Sequence, residues 1–143
     1  GPSESLVSAG SPLCLGTDSH AVIDMFEEAR AVEMNQRLIS NKRGIHRSSD
    51  LLSAATINGA SSLGSKKHGL VAGAPADFIG VSTNSVRLAT FDPANGAAHL
   101  VHSATSSDVS DVWVGGEQIV SNYKHRTLPD INESLRTAID AVL

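Results

Sequence analysis

The run Leu15-Gly16-Thr17-Asp18-Ser19-His20 sets a carboxylate and an imidazole two positions apart, directly after a short apolar segment. A carboxylate delivered by the last residue of a buried strand, ahead of a loop and a helix, stands where α/β barrels and parallel sheets place reactive groups. There Asp18 would ligate a hard or borderline metal, or exchange a proton with a metal-bound water. The same residue would equally well cap the next helix or close an Asx-turn. His20 would ligate a metal, hydrogen-bond a substrate, or lie in a loop without a role.

Other candidates are weaker. His99 and His102 have i,i+3 spacing, and in the strand expected there their side chains point to opposite faces, which argues against a shared metal. His46, His68 and His125 stand in polar, loop-like contexts and read as surface residues. Glu27 and Glu28 diverge by about 100° on a helix, so dipole complementation suits them better than paired acid/base work. Arg30 would pair with Glu27 or a neighbouring helix. No H-x-H, C-x-x-C, H-E-x-x-H, phosphate-binding glycine loop or G-x-S-x-G element occurs. Gly73 to Ala76 is a turn signal, and Trp113 and Phe91 are too few and isolated to stack bases.

The elements that must position these groups follow from pattern. Pro2 fits the first turn of a helix through Val7 with an exit at Gly10, although Gly1-Pro2 would also fit a protease scar. Leu13 to Thr17 reads as a strand covered on both faces. A helix is expected over Met25 to Ser40, with Asp24 and Glu27 at capping-box spacing and Glu33 and Arg37 as an i,i+4 pair. A second is expected from Asp50 to Leu63, capped by Ser48 or Ser49 and stopped at Gly64. From His68 to Tyr123 the chain turns rich in Val, Thr, Ser and Gly. Strands are expected at Ala76–Val81, Ala98–His102, Val109–Val114 and Gln118–Val120, the last two joined by Gly115-Gly116. Pro129 would open a final helix over Asp130 to Leu143. The expected organisation is therefore 1–65, 66–126 and 127–143.

Composition narrows the function classes. The 143 residues carry 11 Lys and Arg against 15 Asp and Glu, a formal net charge of −4, and only 18% are charged. No basic field exists for nucleic acid. Cys14 is the single cysteine, which excludes an internal disulfide and fits a reducing, cytoplasmic location. No apolar run approaches membrane-spanning length, and no basic-then-apolar leader is visible, so no membrane partner is expected. A chain this long buries about 68% of its extended surface, enough for a core.

The stretch from Leu15 to Arg30, Leu-Gly-Thr-Asp-Ser-His-Ala-Val-Ile-Asp-Met-Phe-Glu-Glu-Ala-Arg, resembles the last barrel strand and following helix of the amidohydrolase superfamily, in its aminohydrolase branch. With Glu33 to Leu38 it is most similar to the formimidoylglutamate deiminases of histidine degradation. Supporting segments are Ala54 to Ala60 with Leu63-Gly64, Gly69 to Asp77, and Asp111 to Gly116. The resemblance spans the chain but only the C-terminal third of such an enzyme. It implies an α/β fold: the closing strand and helices of a (β/α)8 barrel, part of a small accessory β-sandwich and a C-terminal helix. Zinc or another divalent metal would be the cofactor, with Asp18 touching it and helping to activate water, and Ser19 and His20 beside the substrate or supporting the site. The implied activity is conversion of N-formimidoyl-L-glutamate to N-formyl-L-glutamate and ammonia. The alternatives are deamination of a purine or triazine-like amine, or a noncatalytic structural module. The H-x-H pair, the other histidines and the proton-transferring glutamate of that pattern are missing. One carboxylate cannot hold catalytic zinc, so the segment alone is expected to be inactive. Its expected partners are a small-molecule substrate, the rest of the barrel in the same or another chain, and further copies in a homo-oligomer.

Overall fold

The computed structural model describes residues 1–128 and 130–143. Helix α1 (Ser3–Ser8) starts at Pro2 and ends before Gly10, whose φ of +85° only glycine adopts readily. Helix α2 (Met25–Ser40) has the expected bounds. Asp24 Oδ1 accepts from the amides of Phe26 at 2.9 Å and Glu27 at 3.2 Å. Among the described residues Glu27 does not reach back, so the expected capping box is half made. Phe26, Ala29, Glu33 and Gln36 recur at helical spacing and form its buried stripe.

The single helix expected from Asp50 to Leu63 is instead two. Helix α3 (Ser48–Ala55) and helix α4 (Ile57–Ser62) meet at Thr56, whose φ of −132° and ψ of −90° are not helical. The Thr56 hydroxyl donates to the Leu52 carbonyl at 2.6 Å, the local side-chain bond by which threonine disturbs a helix. Ser48 and Ser49 lie inside α3 rather than capping it; Arg47 holds the cap position and makes no side-chain cap. Gly64, at φ +83°, follows α4 as expected.

Residues 13–17 carry no strand ladder, contrary to expectation. A covered strand needs flanking strands to take its amides and carbonyls, and none lies beside it among the described residues. The segment is held instead by the Leu15 amide on the Ala54 carbonyl at 3.1 Å and by Asn58 Nδ2 on the Leu13 carbonyl at 2.8 Å.

The strand expected at Ala98–His102 is helix α5 (Gly96–Ser103). Asp92 accepts from the Ala94 amide at 3.0 Å, Pro93 opens a 3₁₀ turn, and that turn runs into the helix. The small residues Gly96 to Ala98 offer no steric objection, and Val101 is fully buried in a cluster with Ala29 and Leu51. Tertiary packing settles the short apolar run that periodicity leaves ambiguous.

Strands β1 (Phe78–Val81), β2 (Val109–Val114), β3 (Glu117–Ser121) and β4 (Lys124–His125) form one antiparallel sheet in chain order. Phe78 faces Trp113 in register and their rings stack at 4.6 Å. Gly115 and Gly116 both have positive φ, +58° and +83°, the two-residue hairpin turn expected there. The facing second sheet that a sandwich requires is not among the described residues. Val81 and Val109 pack onto the buried cluster of Phe26, Leu88 and Ala104, so sheet and helices share apolar contacts.

Helix α6 (Ile131–Asp140) is shorter than the expected span, and Pro129 lies outside the described residues. Its apolar stripe of Ile131, Leu135 and Ile139 stays exposed, as do Leu38, Ile39 and Leu63 elsewhere. No helix among the described residues is long and apolar enough to cross a membrane.

Candidate active-site turn

Asp18 occupies the left-handed region at φ +46°, a conformation that aspartate tolerates better than most side chains. The turn is closed by the His20 amide on the Thr17 carbonyl at 2.9 Å. This backbone bond takes the amide an Asx-turn would use, and α2 is capped by Asp24, so Asp18 fills neither structural role expected as an alternative. Its side chain is exposed and, among the described residues, makes no hydrogen bond. Ser19 is exposed beside it. His20 is more open at its side chain, 60%, than its partner Glu28, 13%; Nδ1 of the ring meets Glu28 Oε1 from the first turns of α2.

Three buried carboxylates lock α2 and the elements around it. Asp24 Oδ2 accepts from the Ser106 amide at 2.8 Å, tying the start of α2 to the connection ahead of β2. Glu33 is 1% exposed and accepts from Arg37 at 2.7 Å and from the amides of Gly44 and His46, both at 2.8 Å. Burial pushes its carboxyl up, but the His46 amide, Arg37 and the Gly44 amide together outweigh burial and hold it below the usual carboxylate range. Asp108 follows the same balance: burial raises it, while the Thr105 amide and Arg87 bring it below its ordinary value. Arg30 completes the frame by donating to the carbonyls of Val101 at 3.0 Å and Ala104 at 2.6 Å, where α5 ends. That is the neighbouring helix the sequence allowed for.

The other histidines are not brought to this turn. His99 and His102 ride on α5 rather than on opposite faces of a strand: His99 lies against Phe91 at 5.5 Å, and His102 Nε2 stands 3.4 Å from the Ser48 hydroxyl. Burial, with the positive charge of Arg37, keeps His102 below the ordinary histidine value. His46 Nε2 is 2.9 Å from the Ser3 hydroxyl. Among the described residues no group of three or more His, Cys, Asp or Glu side chains is placed to hold a metal. Asp18 therefore has an exposed carboxylate that makes no hydrogen bond among the described residues, with no completed metal centre around it. Sequence reasoning missed Glu28 as the partner of His20, because eight positions through a loop carry no periodic signal.

The amidohydrolase family model matches residues 2–119. The chain is 34% identical over 98% of its length to a 5'-deoxyadenosine deaminase of Methanoregula boonei, covering 31% of that protein. It is 36% identical over 92% of its length to a 5-methylthioadenosine/S-adenosylhomocysteine deaminase of Shouchella clausii, covering 32% of it. It thus spans about a third of the length of these relatives. An adenosine deaminase from Xanthomonas campestris with bound zinc superposes over 97% of the chain and 32% of its own with a TM-score of 0.84 at 23% identity. A triazine hydrolase variant superposes over 99% of the chain and 32% of its own with a TM-score of 0.81 at 21% identity. At such identities the two structures speak for the fold alone, while the family match over most of the chain goes further: this chain belongs to the amidohydrolase family.

Proposed function

We propose that the chain supplies the closing part of a metal-dependent hydrolytic deaminase acting on the exocyclic amine of a 5'-substituted adenosine. Residues 1–65 would belong to the barrel, 66–126 to the accessory β region and 127–143 to a terminal helix. The observation that carries this reading is the 34% identity with the 5'-deoxyadenosine deaminase across nearly the whole chain. It favours the purine alternative over formimidoylglutamate, which rests on the short Asp18-Ser19-His20 loop alone.

The donor chemistry of Asp18 fits one ligand of a hard or borderline divalent cation, since a carboxylate with no protein partner is free to coordinate. The two further ligands that catalytic zinc takes would come from residues outside this chain. A bound metal would supply an activated water near neutral pH. The chain's own residues do the rest. Asp18 takes the proton of the attacking water and returns it to the departing nitrogen, so that amine plus water become a carbonyl compound plus ammonia. Ser19 and His20 contact the substrate beside it. Asp24, Arg30, Glu33 and Asp108 keep α2 and its neighbours in place, so the Asp18 turn sits on a fixed support.

The test is ammonia release by the complete zinc-loaded enzyme from 5'-deoxyadenosine and 5-methylthioadenosine, against formimidoylglutamate and a triazine amine. Activity on the adenosines is expected. Activity confined to formimidoylglutamate, or no activity with stoichiometric zinc bound, overturns the reading.

A further inference from the structure

We propose that the apolar stripe of α6 docks on the part of the complete enzyme that lies outside these 143 residues, and that α6 is stably helical only when so covered. This rests on the reading above in taking the chain as one part of a longer enzyme. Every residue of α6 is exposed, so nothing among the described residues covers it. A helix of ten residues alone in water is marginal. Asn132, Ser134, Thr137 and Asp140 are weak helix formers, so propensity does not rescue it. Its apolar side chains nonetheless keep one face: Leu128, Ile131, Leu135, Ile139 and Val142 follow at spacings of three, four, four and three. The uncovered surface also continues past the helix, into an open groove of about 400 Å³ lined by Tyr123 of the β3–β4 turn, Leu128 and Ile131.

Two arguments choose the occupant. A helix about 15 Å long falls far short of the roughly 800 Å² per partner that a stable dimer buries, so a second copy pairing through α6 would not hold. The remainder of the enzyme is large by comparison. The chain covers 31% of the 5'-deoxyadenosine deaminase, and the zinc-bound adenosine deaminase matches 97% of this chain with only 32% of its own. Linked to α6 in one polypeptide, that remainder meets the stripe at an effective concentration on the order of millimolar, where even a small apolar face stays docked.

Amide hydrogen exchange followed by mass spectrometry reads α6 directly. In the complete enzyme the amides of Ile131–Asp140 should exchange about a hundredfold more slowly than in the 143-residue chain, and as slowly again after about tenfold dilution. Leu135→Ala does not lower helix propensity, so the rise of about tenfold or more in α6 exchange expected of that variant in the complete enzyme reports lost packing alone. Thr137→Ala, on the opposite face, should leave α6 as slow as in the parent. Equal exchange in enzyme and chain, slow exchange lost on dilution as a second copy would give, or an unchanged rate in Leu135→Ala overturns the inference. Ammonia release is assayed on the same sample. Slow α6 amides in an enzyme inactive on the adenosines overturn the deaminase reading and leave the docking standing.

Discussion

The carboxylates around α2 and the carboxylate of Asp18 are the same chemical group put to opposite uses. Glu33 and Asp108 are buried and surrounded by donors, and the donors outweigh the burial that would otherwise neutralise them. Asp18 is exposed, sits on a left-handed turn and has no protein partner among the described residues. A buried charge with a full set of hydrogen bonds holds parts of a fold together. A carboxylate left without them contributes little to folding and keeps its lone pairs for something else. The contrast makes the two groups separable by experiment.

The sharpest separation is expected on the structural side. Glu33→Ala removes the acceptor of Arg37, Gly44 and His46 at once, and should lower unfolding free energy by about 3 kcal/mol in urea titration, the cost of breaking a buried pair. Leu51→Ala, at a fully buried apolar site, should cost about 2–4 kcal/mol, so a charge and a hydrocarbon would prove comparable supports. The pH dependence follows from the depressed carboxyls. Glu33 and Asp108 ionise more readily in the fold than in the unfolded chain, where 4.5 and 3.8 are the ordinary values. Their stabilisation is thus complete above those values and is lost as pH falls through the lower folded ones. Acid titration followed by circular dichroism should show stability falling below about pH 4.5, and less steeply in Glu33→Gln. Arg30→Ala should cost about 1–2 kcal/mol by freeing the carbonyls at the end of α5. At the small end, Leu135→Ser on the exposed stripe of α6 should stay within about 0.5 kcal/mol of the parent.

Much of the frame was legible where local chemistry and tertiary packing agree. Asp24 marks the start of α2, the spacing of Phe26, Ala29 and Glu33 gives its buried face, and the two glycines after Val114 fix the β2–β3 turn. Where the short run Ala98 to His102 was read as a strand, the missed signal was the Asp92-Pro93 opening upstream, which starts a helix rather than ending a loop. The break at Thr56 depends on a hydroxyl choosing a carbonyl, which spacing does not encode. At the site, the apolar run before Asp18 points to a strand, but residues 13–17 form no ladder because no neighbouring strand among the described residues takes their backbone groups. The depth of Glu33 was not legible, because its amide donors come from a loop eleven and thirteen residues on. Nor was Arg30, whose acceptors lie 71 and 74 positions away.

The division of labour between buried and free carboxylates comes down to one residue. Asp18→Asn in the complete enzyme stripped of metal should keep the parent's urea midpoint, since asparagine tolerates the same left-handed turn, and in the zinc-loaded enzyme should lose ammonia release from 5'-deoxyadenosine by about a hundredfold or more, the scale of a lost proton-transfer group. An Asp18→Asn enzyme that turns over at the parent rate, or one that without metal unfolds at distinctly lower urea, would show that this carboxylate belongs with Glu33 and Asp108 after all.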